Sequence, residues 1–168
     1  RFVPQKGLMA LVRALGTIPA PLRPVLRAVG DGPDREEAVR TAEQLGVVLE
    51  APGVVDTPTL RRAIDESALV AFPSLWAEPF GRVGIEAFAR GRPVVASDVG
   101  GVSSWLIPDG NGLLVPRGDE RALGATIARL LGDDALRHRL GAQARRDAER
   151  YRLAPFIDRF LAIALGHA

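Results

Sequence analysis

The sequence predicts an α/β fold built on a doubly wound parallel sheet, and three observations predict it. A short apolar run, a glycine-bearing turn and an amphipathic helix follow one another four times along the 168 residues. The apolar runs are continuous and do not alternate, which is how strands covered on both faces of a parallel sheet read. The 18 glycines and 13 prolines stand as punctuation between these runs and do not gather into a linker, so the elements are short and tightly connected. Right-handed crossovers then bring every loop that follows a strand to one sheet edge, where Rossmann-like folds bind ligands.

Taken in order, Leu8, Leu11, Val12 and Leu15 recur at helical spacing after Gly7 and predict a helix over 7–16. Pro19 to Pro24 reads as loop, and Val25–Val29 as a buried strand that ends at Gly30-Asp31-Gly32-Pro33. Asp34 is placed to cap a helix through Ala38, Ala42 and Leu45, closed by Gly46. Val47–Leu49 reads as the second strand, and Thr57 or Thr59 starts a short helix through Ile64. Ala68–Phe72 is the third strand, ending at Pro73-Ser74. A loop with Trp76, Glu78, Pro79 and Gly81 leads to a helix over Val83–Ala89, stopped by Gly91. Pro93–Ala96 and Gly112–Val115 are the fourth and fifth strands, and the chain from Asp119 is helical with breaks near Gly132 and Leu153.

Composition excludes several chemistries. At 47% hydrophobic residues the chain has enough apolar material for a compact core. Cysteine is absent, which removes disulfides, thiolate metal sites and a cysteine nucleophile and fits a reducing compartment. Two histidines, His138 and His167, do not make a three-histidine metal site. Lys+Arg is 22 against Asp+Glu 20, a net charge of +2, so the basic pI near 9.9 argues little for nucleic acid. No apolar run reaches the roughly 18 residues of a membrane span, and no signal peptide is visible, so a cytoplasmic protein is expected.

Residues directly after the strands are the candidates for chemistry: Gly30 and Gly32, Gly53, Ser74 to Gly81, and Asp98 to Gly101. Glycines there let a ligand approach backbone N–H groups at helix starts, although short loops also use glycine for their own geometry. Gly30-Asp31-Gly32 lacks the third glycine of a nicotinamide-dinucleotide fingerprint. Glu78 lies in the loop and Glu86 eight residues on, about one turn into the following helix. Two carboxylates spaced along one cleft suit a polyol, since each accepts from neighbouring hydroxyls; two solvated glutamates are the plainer alternative.

The string Glu78-Pro-Phe-Gly81, through Gly84 to Glu86-Ala-Phe-Ala89, then Gly91-Arg-Pro-Val-Val95 and Gly100-Gly101, resembles the C-terminal domain of GT-B retaining glycosyltransferases. More narrowly, it is similar to the large family holding many bacterial mannosyl- and glucosyltransferases, the glycosyl transferases group 1. Glu78 and Glu86 match that family's E-x7-E pair. Arg1 and Lys6-Gly7 match the end of its basic motif, and Val29-Gly-Asp-Gly-Pro33 and Asp109-Gly-Asn-Gly112-Leu-Leu-Val115 match further landmarks in order.

The resemblance implies a site for a nucleotide-diphosphate sugar as donor substrate, with no separate cofactor. Arg1 and Lys6 would meet the diphosphate, and Glu86 the ribose hydroxyls. Glu78 would hold hydroxyls of the transferred sugar as a positioning group, next to the Phe80 and Gly81 N–H groups. The base would lie near Gly53, Val54 and Ser74, with Gly30 also at the donor edge. It implies transfer with retention and no obligatory metal, and no D-x-D motif occurs here. The stretch Val102-Ser103-Ser104-Trp105 departs from relatives that carry an acidic residue there, so no role is assigned to it.

The expected division is a nucleotide-sugar-binding Rossmann-like domain over 1–150, its first strand cut off before Arg1, and a helix over 151–168. That helix would cross to an N-terminal domain that binds the acceptor, so this piece is expected to bind donor without transferring sugar. Leu136, Leu140, Ala144 and Ala148 form a core stripe in an arginine-rich stretch that carries Arg137, Arg139, Arg145, Arg146, Arg150 and Arg152. A solvated basic back is the expectation, with peripheral contact at the inner membrane face as a further reading. Phe156, Ile157, Phe160, Leu161 and Ile163 are apolar enough to promote self-association. The alternative function is a non-catalytic GT-B-like module that binds a nucleotide or a protein partner; an epimerase fragment fits the motif order less well.

Overall fold

A computed structural model describes residues 1–165. The predicted α/β class holds. Strands β1 (Leu26–Val29), β2 (Leu49–Gly53), β3 (Val70–Phe72), β4 (Val94–Ser97) and β5 (Gly112–Val115) are all parallel to their neighbours. Helices α1 (Leu8–Gly16), α2 (Arg35–Leu45), α3 (Thr57–Glu66), α4 (Arg82–Phe88), α5 (Glu120–Gly132), α6 (Asp134–Ala148) and α7 (Leu153–Ala164) connect and follow them.

The layers show how the sheet is covered. Val95 and Leu113 pack into one apolar cluster with Val12 and Leu15 of α1, Ala38 of α2 and Leu130 of α5. Val94 and Ala96 turn the other way, joining Phe72, Phe88 of α4, Trp105 and Ala144 of α6. Side chains alternate faces along a strand, so helices on both faces explain why β4 is fully buried. The stripe Leu136, Leu140, Ala144 and Ala148 is buried as its spacing predicts.

The ladders themselves fall into two groups. β1 pairs with β2, and β3, β4 and β5 pair in that order. Among the described residues no ladder joins β1 to β3. The segment from Phe2 to Gln5 spans their ends instead. Phe2 N–H donates to Asp31 O beyond β1 (2.8 Å), and Leu75 N–H donates to Gln5 O beyond β3 (2.8 Å).

Local expectations are corrected at two places. The second strand covers Leu49–Gly53 and not Val47–Leu49; it contains Pro52, tolerated because β2 is an edge strand, and that proline hid it. Asp34 precedes α2 but has helical dihedrals and makes no side-chain cap, its Oδ2 being buried without a partner. The caps that do form are Asp56 to Thr59 N–H, Asp119 to Ala122 N–H and Asp133 to Leu136 N–H. Gly100–Ser104 forms a 3-10 turn, which leads Trp105 into the core. Its indole lies against Gly84, where a Cβ would come within 2.1 Å of the ring, and it meets Phe88 edge-on at 5.3 Å.

Candidate functional site

The site is assembled where the turn before α1 meets the loop after β3. Gly7 caps α1 in the left-handed region (φ 72°), and a Cβ there would lie 1.9 Å from Pro73 O. This close approach sets Gln5 and Lys6 against Ser74 and Leu75. Gln5 O accepts from Leu75 N–H, while the buried Ser74 hydroxyl lies 3.1 Å from Gln5 O and 2.9 Å from Glu78 Oε1. A hydroxyl has one proton to give. With Gln5 O already engaged, Glu78 is its natural acceptor.

Lys6 Nζ donates to the same Glu78 oxygen and stands 5.7 Å from the centre of the Trp76 ring, within cation–π range. Glu78 is 5% exposed. Burial alone would push its carboxyl up, but hydrogen bonds from Lys6, Trp76 and Ser74, with the Lys6 charge, hold it below the usual carboxylate range. Glu78 therefore stays ionised at neutral pH while largely withdrawn from water.

The loop carrying Glu78 is clamped from behind. Gly101 N–H donates to Glu78 O (2.7 Å). A Cβ on Gly100 would come within 2.3 Å of Glu78 O, and one on Gly101 within 2.1 Å of Pro79 O. The double glycine's lack of side chains admits the 78–79 backbone.

The remaining predicted residues are distributed as follows. Gly30 (φ 136°) and Gly32 (φ 154°) fold around Phe2, whose carbonyl oxygen would be 2.2 Å from a Cβ on Gly32. Exposed Arg1 begins beside Gly30, its backbone N 3.5 Å from where a Cβ would be. Gly30 N–H donates to Gly53 O (2.9 Å), so these two glycines share one end of the β1–β2 pair. At Gly53 (φ 85°) a Cβ would meet nothing within 4 Å, and Val54 is 80% exposed. The Phe80 ring lies 5.6 Å from that of Tyr151, tilted by 60°, and its carbonyl accepts from the Trp105 indole N–H. Gly81 caps α4 with φ 88° and faces Phe72.

Lys6, Ser74 and Glu78 are thus brought together, as are Arg1, Gly30 and Gly53. Glu86 sits one turn into α4, its carboxylate half-exposed and 3.5 Å from Arg82; no bond joins it to Glu78. Sequence reasoning gave no role to Gln5, whose carbonyl organises the turn, nor to Trp76 beyond its place in the loop. The signal for Trp76 was an exposed aromatic (44%) two residues from the carboxylate. Among the described residues no three His, Asp or Glu side chains gather as a metal site.

Residues 1–147 match the family model described as "Glycosyl transferases group 1". The chain belongs to this family. It is 38% identical over 152 residues to the D-inositol 3-phosphate glycosyltransferase of Xylanimonas cellulosilytica, covering 87% of this chain and 36% of that protein. It is 35% identical over 144 residues to the lipopolysaccharide core biosynthesis glycosyltransferase LpsE of Rhizobium meliloti, covering 83% and 40%. The Anabaena protein Alr3699/HepE, solved in complex with UDP-glucose, superposes with a TM-score of 0.88 at 27% identity, over 100% of this chain and 47% of that one. The domain fold of this glycosyl transferases group 1 chain is accordingly that of a GT-B glycosyltransferase. The chain spans about two fifths of the length of the two curated relatives. No helix among the described residues is long and apolar enough to cross a membrane.

Proposed function

We propose that this chain is the donor-binding part of a hexosyltransferase that moves a sugar from a nucleotide diphosphate to an acceptor, with retention and without an obligatory metal. The carrying observation is the convergence of Lys6 and Ser74 on the buried, ionised Glu78, directly before the open N-terminus of α1. α1 has no side-chain cap, so its first N–H groups and Lys6 together offer an anion both a dipole and a full charge. In this reading Lys6 leaves Glu78 for the diphosphate when donor binds, and Glu78 turns to hydroxyls of the sugar as a positioning group. Arg1 supplies a second cation, and Phe80 and Gly81 present backbone to the sugar or phosphates. The base lies along Gly53, exposed Val54 and Ser74, and Glu86 offers a half-exposed carboxylate to the ribose.

Stabilisation of the leaving diphosphate is electrostatic. Acceptor contacts belong to a separate N-terminal domain, so the isolated chain binds donor and does not transfer it. Trp76 beside Lys6 supplies the assay: nucleotide binding displaces Lys6 and changes indole fluorescence. A saturable change with one of UDP, GDP or ADP, lost in Lys6→Ala, supports the reading. A saturable change that persists in Lys6→Ala overturns the assignment of Lys6, and transfer activity by this chain alone overturns the division of labour.

A further inference from the structure

A cleft lies away from these residues, at the edge where the strands begin. It has a volume of about 850 Å³ and is lined by Glu66–Ala68 ahead of β3, by 90–93 ahead of β4, and by one side of α6. Its floor is made of small residues. Gly141 of α6 lies so close to the turn before β4 that a Cβ on it would come within 2.3 Å of Gly91 O. Ser67, Ala68 and Ala142 also leave space there.

The walls are cationic: five arginines line the cleft against two glutamates. Both glutamates are engaged outward, Glu66 by Arg27 and Glu149 by Arg152 (2.8 Å each). Arg90 is paired with Asp65 and Arg137 with Asp134, whereas Arg92, Arg145 and Arg146 have no carboxylate partner among the described residues. Arg145 lays its stem over Gly91, with Cδ 3.9 Å from that residue's Cβ position, and has no ion-pair or hydrogen-bond partner among the described residues. Arg146 meets only the neutral Gln143 amide (2.6 Å). Arg92 donates to Asp65 O, a neutral carbonyl, while its Nε is buried with no acceptor at all. A buried donor without a partner is costly, and arginines lining a concave, small-residue floor suit a tetrahedral, many-oxygened anion.

We propose that this cleft is a second anion site, distinct from the sugar-donor edge, that binds a phosphate group through Arg92, Arg145 and Arg146. The phosphate comes either as a free phosphorylated solute or as the headgroup of an anionic lipid. The location on the strand-start edge leaves the Lys6–Glu78 edge free, so both sites are occupied together.

The test uses the full chain with amide NMR and two probes, inorganic pyrophosphate and vesicles of phosphatidylglycerol, with phosphatidylcholine vesicles as control. Saturable shifts at Gly91, Gly141 and Ala142 with pyrophosphate are expected, persisting in Lys6→Ala and weakened about tenfold or more in R145A/R146A. Flotation with phosphatidylglycerol but not phosphatidylcholine, lost in the same double variant, assigns the phosphate to a lipid. These arginines are on the solvent side of α6, so the variant's unchanged amide spectrum elsewhere confirms that it folds. Absence of saturable shifts with pyrophosphate together with absence of flotation overturns the proposal, as do shifts that survive R145A/R146A.

Discussion

Lys6 and Glu78 hold one another, and that pairing sets what substitutions do at the scale of single residues. Lys6→Ala removes a charge-assisted donor, which contributes roughly 1.5–3 kcal/mol, so nucleotide-diphosphate affinity measured by calorimetry falls about tenfold or more. Glu78→Gln acts differently: it releases Lys6, so the free diphosphate binds at least as tightly as before while the preference for the sugar-bearing donor is lost. A parallel loss of both affinities would refute the positioning role. The pH dependence follows from the lowered Glu78 carboxyl. A group whose folded pKa is depressed contributes stability that is present above its unfolded value, about 4.3, and lost as pH falls through the folded one. Urea midpoints of the native chain and Glu78→Gln should therefore be separated at neutral pH, with the native chain the more stable, and draw together as pH falls below about 4.3. The Lys6–Glu78 contact could not be read from the sequence, because it joins positions 72 residues apart and depends on how closely Gly7 passes Pro73.

At the scale of elements, glycines and caps decide how the loops are aimed. Gly101→Ala forces a Cβ into Pro79 O; backbone cannot yield as a flexible side chain does, so the 78–79 loop shifts. The expected result is a loss of about 1–3 kcal/mol in denaturant unfolding together with weakened donor binding. Asp133→Ala removes the cap of α6 (2.8 Å to Leu136 N–H) and is expected to cost about 0.5–2 kcal/mol with binding unchanged, which separates a structural loss from a loss at the site. Elements with a strong period were legible: α1, α2 and the α6 stripe follow their apolar spacing, and β1, β4 and β5 their continuous runs. The failures share a physical cause, in that tertiary contacts overrule local pattern. Pro52 disguised an edge strand, and Asp34 turned away from its cap. The site residues themselves were legible only as a motif; their spacing gave candidates, and the fold supplied the partners.

For the molecule as a whole, the two ladders and the last helix are the features with consequences. β1 and β3 are each paired on one side only, and the segment from Phe2 to Gln5 links their ends. A parallel strand leading into Arg1 would pair with both, so adding five or six β-branched residues before Arg1 is expected to raise the melting temperature and slow amide exchange along β1 and β3; an extension without either effect would show that the slot is not a strand site. On α7, Ile157, Leu161 and Ile163 are exposed, while the side chain of Phe156 lies outside the described residues. Self-association that grows with concentration in sedimentation, and is reduced by Ile157→Lys with Ile163→Lys, is the expected outcome; a monomer at all concentrations contradicts it. The central claim, that one edge of this fold receives a nucleotide-sugar donor, is tested most directly by following backbone amides by NMR while UDP, GDP and ADP are added in turn. Saturable shifts at Gly7, Gly53 and Gly81 with one nucleotide are expected. Shifts confined to the arginine cleft, or none at Gly7, Gly53 and Gly81 with any nucleotide, would contradict it.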